Sequence, residues 1–254
     1  MSLLVNPFVA AETAKAYAQG RPYFHPLVME RIKETLGLSV PLELAVDVAC
    51  GTGMSSLALL TVADRVVATD ISPEMLSQAP ADGRIDYRLA PADALPLGDE
   101  QADLMTVSSA FHWFEREAFL QEARRVLRPG GWLAVYENYF ESRHPNPALE
   151  EWLKTYYRTH PSPPRDRTPF TNEDAQKAGF DSTKRLTYEN TWTFTLPAFV
   201  SYLLSQSNAV AAVERGLYTL ADLERKLTGQ LEPFFTSGEE TFFFNGFIRL
   251  LRRT

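Results

Sequence analysis

The residues with the clearest chemical meaning are two glycines and an acid that follow two apolar segments. Gly51 and Gly53 come directly after the nearly all-apolar run Leu44-Ala-Val-Asp-Val-Ala49, and Asp70 ends the next apolar run, nineteen residues after Gly51. Glycines at a strand-to-helix turn let backbone N–H groups approach a ligand closely, and a carboxylate on the next strand can accept hydrogen bonds from both ribose hydroxyls. This spacing predicts a bound nucleoside.

Short β-branched runs alternate with amphipathic stretches from Leu42 onward, and this alternation predicts an α/β fold. Right-handed crossovers place all strand-to-helix loops of such a fold at one edge of the sheet, where ligands bind. We predict a Rossmann-like, seven-stranded, mostly parallel sheet with helices on both faces and a helical lid. The predicted strands are Leu44–Ala49, Arg65–Asp70, Ile85–Leu89, Ala102–Ser108, Trp132–Glu137, Leu186–Thr195 and Glu240–Leu251.

Helix signals separate these strands. Ser72-Pro73-Glu74 places a hydroxyl cap, a proline and an acid in the order that begins a helix. A helical apolar face starts near Glu115, and Pro129-Gly130-Gly131 is predicted to end that helix. Further helices are predicted at Thr171–Gly179, in residues 197–215 and along the stripe Leu220, Leu223, Leu227 and Leu231.

Composition narrows the function classes. The 254 residues carry 25 basic and 32 acidic side chains, and a net charge of −7 argues against a nucleic-acid partner. The lone Cys50 cannot form an internal disulfide and is interpreted as a small core filler, so a cytoplasmic location is predicted. The sequence shows no signal peptide and no apolar run long enough to span a membrane, so we predict no membrane partner. The four histidines lack the spacing of metal ligands, so we predict no metal site. For the oligomeric state, the sequence does not discriminate between a monomer and a dimer.

The motifs also discriminate between cofactors. A dinucleotide site has a third glycine where this chain has Ser56, which weighs against NAD. Asp47–Gly53 instead resembles the glycine-rich first motif of the class I S-adenosylmethionine-dependent methyltransferases, and Asp70–Met75 resembles their ribose-binding segment. The resemblance runs from about Leu42 to Asn138, with further similar segments at Ala92–Pro96, Asp103–Ala110 and Arg128–Trp132.

This resemblance implies S-adenosyl-L-methionine as the cofactor. It implies that Gly51 and Gly53 approach the methionine part, Asp70 takes the ribose hydroxyls, and Met75 or Ile71 packs against adenine. Asp47 either contacts the cofactor or orients the glycine loop from below, and Ala49 stands where the family often has glycine. The implied cofactor-binding residues are Tyr17, Arg21, Asp47, Ala49, Gly51, Gly53, Asp70, Ile71, Met75, Asp93, Ala94 and Ser109.

Two short stretches, Tyr17–Tyr23 and Ser109–Phe114, resemble the small-molecule branch that includes trans-aconitate methyltransferase. In that branch the N-terminal helix closes over the cofactor, and side chains near Tyr17 and Arg21 can reach its carboxylate. The domains are accordingly predicted as an N-terminal helical cap (1–41), a cofactor-binding core (42–138), a lid insertion with its return helix (139–182), and the C-terminal part of the sheet with inserted helices (183–254).

The predicted function is methyl transfer from S-adenosylmethionine to a small molecule, with a carboxylate among the acceptors it could take. A carboxylate arrives ionised, whereas a phenol or carbon acid needs a base, for which His112 is the candidate catalytic residue. Acceptor-pocket candidates are Tyr139, Trp192, Tyr202 and Ser207, and Arg143, Arg165 and Arg167 either clamp an anion or are simply solvated. The alternatives are a tRNA methyltransferase and a non-catalytic S-adenosylmethionine-binding module.

Overall fold

The computed structural model describes residues 14, 17, 18, 20–164 and 168–254, without the side chains of residues 182 and 183. In these residues seven strands form one sheet, in the order β3-β2-β1-β4-β5-β7-β6. The strands are β1 (Leu42–Val48), β2 (Ala63–Asp70), β3 (Ile85–Leu89), β4 (Ala102–Ser108), β5 (Leu127–Phe140), β6 (Phe180–Thr195) and β7 (Glu239–Arg253).

The sheet is mostly parallel. β1 pairs in parallel with β2 and β4, and the pairs β2–β3 and β4–β5 are parallel as well. β7 runs opposite to β5, because the Glu141 amide donates to the Phe243 carbonyl while the Arg253 side chain donates to the Leu127 carbonyl. The predicted α/β class with a mostly parallel seven-stranded sheet is therefore confirmed.

Helices occupy most of the connections between the strands. They are α1 (His25–Leu36), α2 (Met54–Leu59), α3 (Pro73–Leu76), α4 (Arg116–Val126), α5 (Pro147–Thr159), α6 (Asn172–Lys177), α7 (Leu196–Leu204), α8 (Ser207–Glu214) and α9 (Leu220–Leu231), with 3₁₀ turns at Phe111–Trp113 and Glu232–Phe234. The predicted cap of α3 is present, since Ser72 Oγ accepts from the Met75 amide at 3.1 Å.

The prediction that Pro129-Gly130-Gly131 ends a helix is wrong. α4 ends at Val126 and β5 begins immediately at Leu127, so the proline and both glycines lie inside the strand. The reason is the pairing with β4: Leu127 already pairs with Ala102, and the register then shifts before Leu104 pairs with Trp132. Gly130, with φ 79°, accommodates this irregularity, because glycine adopts positive φ readily.

The chain folds as two compact units that interleave along the sequence. The core unit comprises residues 23–138, 165–187 and 247–254, and the insert unit comprises residues 1–22, 139–164 and 188–246. This division places α1 in the core unit, whereas the sequence analysis assigned residues 1–41 together to a cap.

Each unit has its own hydrophobic core. In the core unit, Phe119, Leu133 and Phe180 are fully buried in one apolar cluster. In the insert unit, Phe199 stacks on Phe242 with ring centroids 4.0 Å apart inside a cluster rich in aromatic side chains.

Among the described helices, none by itself has the length and apolarity of a membrane span. The helices α7 and α8 meet those limits only when taken together, and they are bent by 65° relative to one another.

Candidate active site

The loop after β1 adopts backbone conformations that favour glycine. Gly51 has φ 55° and Gly53 has φ 76°, both in the left-handed region. A Cβ added at Gly51 would meet no heavy atom within 4 Å, whereas one at Gly53 would lie 2.5 Å from the Tyr87 hydroxyl. Gly51 therefore presents an open face of the loop, and Gly53 packs closely against the protein.

Asp70 joins the end of β2 to this loop. Its Oδ2 accepts from the Gly51 amide at 2.8 Å, and its Oδ1 accepts from the Ser72 amide at 2.9 Å. Burial raises the pKa of the Asp70 carboxyl, and these backbone bonds oppose that rise. The structure thus brings Gly51 into contact with Asp70, as the spacing in the sequence predicts.

Asp47 is fully buried beneath the loop region, at the end of β1. Its Oδ2 accepts from the hydroxyls of Ser55 and Ser56, both at 2.6 Å, and its Oδ1 accepts from Thr106 at 3.0 Å. Burial raises the pKa of Asp47 to about 6 despite these bonds. With three hydroxyl donors and no exposed surface, this geometry favours the orienting role over direct contact with a cofactor.

Apolar side chains are exposed at the same sheet edge, after β2 and β3. Ile71 is 55% exposed, whereas Met75 is buried, so Ile71 is the better placed of the two candidates for packing against adenine. Leu89, opposite Asp70 in register, is 62% exposed and was missed by the sequence analysis. A large apolar residue at the carboxyl end of a strand was the available signal. Asp93 lies exposed in the following turn region, with Ala94 beside it.

These features fit an adenosine group. The open face at Gly51, the Asp70 carboxylate held 2.8 Å from the Gly51 amide, and the exposed Ile71 and Leu89 supply a backbone surface, a hydroxyl acceptor and an apolar contact. These groups suit adenosine, because its ribose is polar and its base is flat and largely apolar.

A second group lies at the ends of β4 and β5. Ser109 has φ 53°, and its amide donates to the Tyr136 carbonyl at 3.0 Å. His112 follows in a 3₁₀ turn, with Nδ1 lying 3.3 Å from Glu137 Oε1 on β5. Glu137 is not among the residues predicted from the sequence, although the available signal was an acid directly after the apolar run Leu133–Tyr136.

Tyr17 and Arg21 belong to the insert unit and are described within it. The Arg21 guanidinium lies 4.6 Å from the Tyr17 ring centroid and 5.6 Å from that of Tyr202, and it donates to the Ser205 carbonyl at 2.9 Å. The buried Arg21 Nε has no hydrogen-bond partner in the described part of the chain. A buried guanidinium N–H without a partner is unfavourable, and an anionic group would satisfy it.

The acceptor-pocket candidates of the insert unit fall into two classes. Tyr139 and Trp192 are exposed, whereas Tyr202 and Ser207 are buried. Arg143 pairs with Glu141 at 2.5 Å, and Arg165 and Arg167 lie outside the described residues. Among the described residues, no three His, Cys, Asp or Glu side chains are grouped so that they could hold a metal ion.

Comparison with known proteins finds similarity to methyltransferases. Residues 46–135 match the family model described as a methyltransferase domain. A protein of Dictyostelium discoideum described as a methyltransferase is 27% identical over 179 residues, or 68% of each chain. The chain spans about half the length of several other curated methyltransferases that it matches.

Solved structures share the fold. One described as a type II methyltransferase from Anaeromyxobacter dehalogenans matches with a TM-score of 0.66 and 22% identity, over 90% of this chain and 95% of that one. Geranyl diphosphate C-methyltransferase from Streptomyces coelicolor, solved with S-adenosyl-L-homocysteine, matches with a TM-score of 0.50 and 13% identity, over 90% and 79% of the two chains. Residues 46–135 thus resemble a methyltransferase domain, the described chain shares the fold of these solved structures, and the matches support S-adenosyl-L-methionine as the cofactor.

Proposed function

We propose that this chain transfers the methyl group of S-adenosylmethionine to a small-molecule acceptor. The observation that carries the proposal is the contact of 2.8 Å between the Gly51 amide and Asp70 Oδ2, beside the open face of the glycine loop. This contact orients a carboxylate that can accept hydrogen bonds from ribose hydroxyls. The carboxylate lies at the carboxyl ends of β1 and β2, which is where α/β sheets bind ligands.

The chain's own residues position the reactants. The cofactor supplies a methyl group already activated by a sulfonium charge, so the protein needs no elaborate catalytic group to activate it. Asp70, oriented by the Gly51 amide, would accept the ribose hydroxyls of the cofactor. Asp47 joins the end of β1 to α2 through Ser55 and Ser56 and to β4 through Thr106. Such positioning can supply about 7–11 kcal/mol of the barrier reduction.

Two observations favour a small acceptor over a macromolecule. The net charge of −7 opposes binding to a nucleic-acid backbone. Geranyl diphosphate, named for one protein of similar fold, is itself a small molecule. We also propose an enzyme without a nucleic-acid or membrane partner, and a cytoplasmic location because the single Cys50 cannot form an internal disulfide.

The unpaired Arg21 Nε supports the finer proposal that Arg21 is a cofactor-binding residue, as in the branch that includes trans-aconitate methyltransferase. An Arg21→Lys variant retains the charge but loses the planar fork, so we expect weaker binding of S-adenosylmethionine with no loss of folding.

Isothermal calorimetry with S-adenosylmethionine and S-adenosylhomocysteine tests cofactor binding first. An acceptor screen then follows release of S-adenosylhomocysteine with phenols, polycarboxylates and tRNA. We expect binding of both cofactor forms and turnover with small acceptors. Absence of binding at millimolar concentration contradicts the proposal. Binding without turnover favours a non-catalytic module, and turnover with tRNA alone favours a tRNA methyltransferase.

A further inference from the structure

Binding of the cofactor does not require the pair of side chains His112 and Glu137 in the core unit. His112 lies in the turn after β4, and Glu137 lies one residue beyond Tyr136, which pairs with Ser108 at the end of β4. The Ser109 amide donates to the Tyr136 carbonyl, so the turn and β5 are held together at the edge that carries the glycine loop.

Both side chains are largely shielded from water. The His112 side chain is 18% exposed and that of Glu137 is 10% exposed, and Nδ1 lies 3.3 Å from Oε1. A carboxylate can only accept a hydrogen bond, so the proton of a neutral His112 ring resides on Nδ1. Withdrawing a carboxylate from water in this way is unfavourable unless a partner such as this imidazole compensates.

The other ring nitrogen is then the basic one. In the described part of the chain, Nε2 of His112 makes no hydrogen bond, and it is absent from the buried polar atoms that lack partners. It therefore remains accessible with its lone pair directed away from Glu137. This is the tautomer that a general base requires, set by an acid behind the ring.

We infer that the acceptor is protic, a phenol, enol or acidic carbon, and that His112 Nε2 takes its proton while Glu137 acts as a positioning residue. The inference rests on the proposed methyl transfer and names its substrate class. A carboxylate acceptor reaches the site already ionised and needs no base. The oriented pair of His112 and Glu137 therefore favours a protic acceptor over a carboxylate.

The step balances in atoms and charge. The acceptor atom forms a bond to the methyl carbon as the carbon–sulfur bond breaks and its electron pair goes to sulfur, which becomes a neutral thioether. The acceptor's proton passes to His112 Nε2. The resulting imidazolium is stabilised by the Glu137 carboxylate, and the proton leaves to water when the products dissociate.

The chain contains a matched control pair in the insert unit. His144 Nε2 lies 3.6 Å from Glu240 Oε2, but its Nδ1 accepts from the Asn146 amide at 3.0 Å. Both nitrogens of His144 thus face protein groups, at the start of α5. Removing Glu240 takes a carboxylate from a histidine without touching the orientation of His112.

Nitrogen-15 spectra of the histidine rings test the inference without any acceptor. In labelled protein at pH 8, long-range proton–nitrogen correlations report which ring nitrogen carries the proton, and His112→Asn assigns the signals. We expect the Nδ1–H form for His112 in the wild type and in Glu137→Asp, and loss of that preference in Glu137→Leu. Glu240→Leu leaves the His112 signals unchanged. An Nε2–H form in the wild type overturns the inference.

Turnover provides the second readout, with substituted phenols and benzoates of matched size as the probes. We expect His112→Asn to lower kcat with phenols by about 10²–10⁴-fold, and Glu137→Leu to lower kcat with little change in KM. Cofactor affinity by calorimetry stays unchanged in both variants, which shows that they fold. Benzoate turnover that is equal in wild type and His112→Asn, without phenol turnover, overturns the inference while the proposed function stands. A wild type that binds no cofactor contradicts the proposed function instead.

Discussion

Asp47 and Asp70 lie at the carboxyl ends of neighbouring strands, and both are buried. They accept hydrogen bonds from different kinds of donor. Asp47 accepts three side-chain hydroxyls, whereas Asp70 accepts the amides of Gly51 and Ser72. Each oxygen of a carboxylate can accept two bonds, so Asp70 retains capacity for ligand hydroxyls. Asp47 therefore joins β1 to α2 and β4, and Asp70 is the residue that we expect to contribute to the binding free energy of the cofactor.

Replacing Asp70 tests that division directly. We expect Asp70→Ala to weaken S-adenosylmethionine binding about tenfold or more, because charge-assisted hydrogen bonds contribute about 1.5–3 kcal/mol each. Calorimetric Kd values provide the measurement. Asp86→Ala, which removes an exposed partner of Arg88 on β3, serves as the control and leaves the affinity unchanged. Equal affinity in wild type and Asp70→Ala would remove Asp70 from the site.

Asp47 makes stability depend on pH in a direction that follows from its raised pKa. Since the pKa is about 6 in the folded protein and near 4 in the unfolded chain, the folded state binds more protons between these values. The free energy of unfolding therefore falls as pH rises from about 4 to 6, by up to about 3 kcal/mol from this group. Urea unfolding of wild type and Asp47→Asn at pH 4, 5, 6 and 7 measures it, and we expect the variant to lack this fall. The same pH slope in both proteins contradicts the assignment.

At the scale of the elements, strands β1 and β4 end in the same unusual way. Ala49 has φ 55° and Ser109 has φ 53°, so each strand is followed by a residue other than glycine in the left-handed region. Such strain persists where the surrounding structure imposes it, and it is frequent at binding sites. Here it turns the chain sharply at the edge where β1 and β4 lie side by side.

Glycine substitutions measure this strain. We expect Ala49→Gly and Ser109→Gly each to raise the free energy of unfolding by about 0.5–1 kcal/mol, because glycine adopts positive φ without steric penalty. Urea unfolding gives the values. Ala49→Gly retains cofactor binding within a few-fold. A destabilised Ala49→Gly protein would show that the alanine methyl contributes packing that outweighs the strain.

At the scale of the whole molecule, charge is the property that selects among partners. The excess of acidic over basic residues gives −7, and several of the arginines of the core unit pair with carboxylates, as Arg125 does with Asp99 and Glu122. Paired guanidinium groups provide little net attraction for a phosphate backbone.

Nucleic-acid binding is therefore expected to be absent. In a filter-binding assay with tRNA, we expect no affinity that rises as salt is lowered from 200 to about 50 mM, because counterion release would make specific binding strongly salt-dependent. Unlabelled S-adenosylmethionine is included so that a cofactor-dependent complex would be detected. A steep salt dependence would restore the tRNA methyltransferase alternative.

The sequence by itself determined the fold class, two strands to the residue, and the pairing of the glycine loop with Asp70. The bounds of β3 and β4 agree with prediction, and the Ser72 cap and the Gly51–Asp70 pairing are present, because periodicity, capping and strand–loop spacing are local properties of the chain. Local signals misplaced the start of β5, because pairing with β4 overrides the helix-stop signal of Pro129-Gly130-Gly131.

Only the tertiary structure decided which side chains meet. His112 and Glu137 lie twenty-five residues apart, and the register between β4 and β5 brings them within 3.3 Å. Likewise, only the tertiary structure shows that Ile71 is exposed and Met75 is buried. It also shows that Asp47 faces three hydroxyls. Register and burial depend on the packing of segments distant along the chain, so neither could be derived from spacing alone.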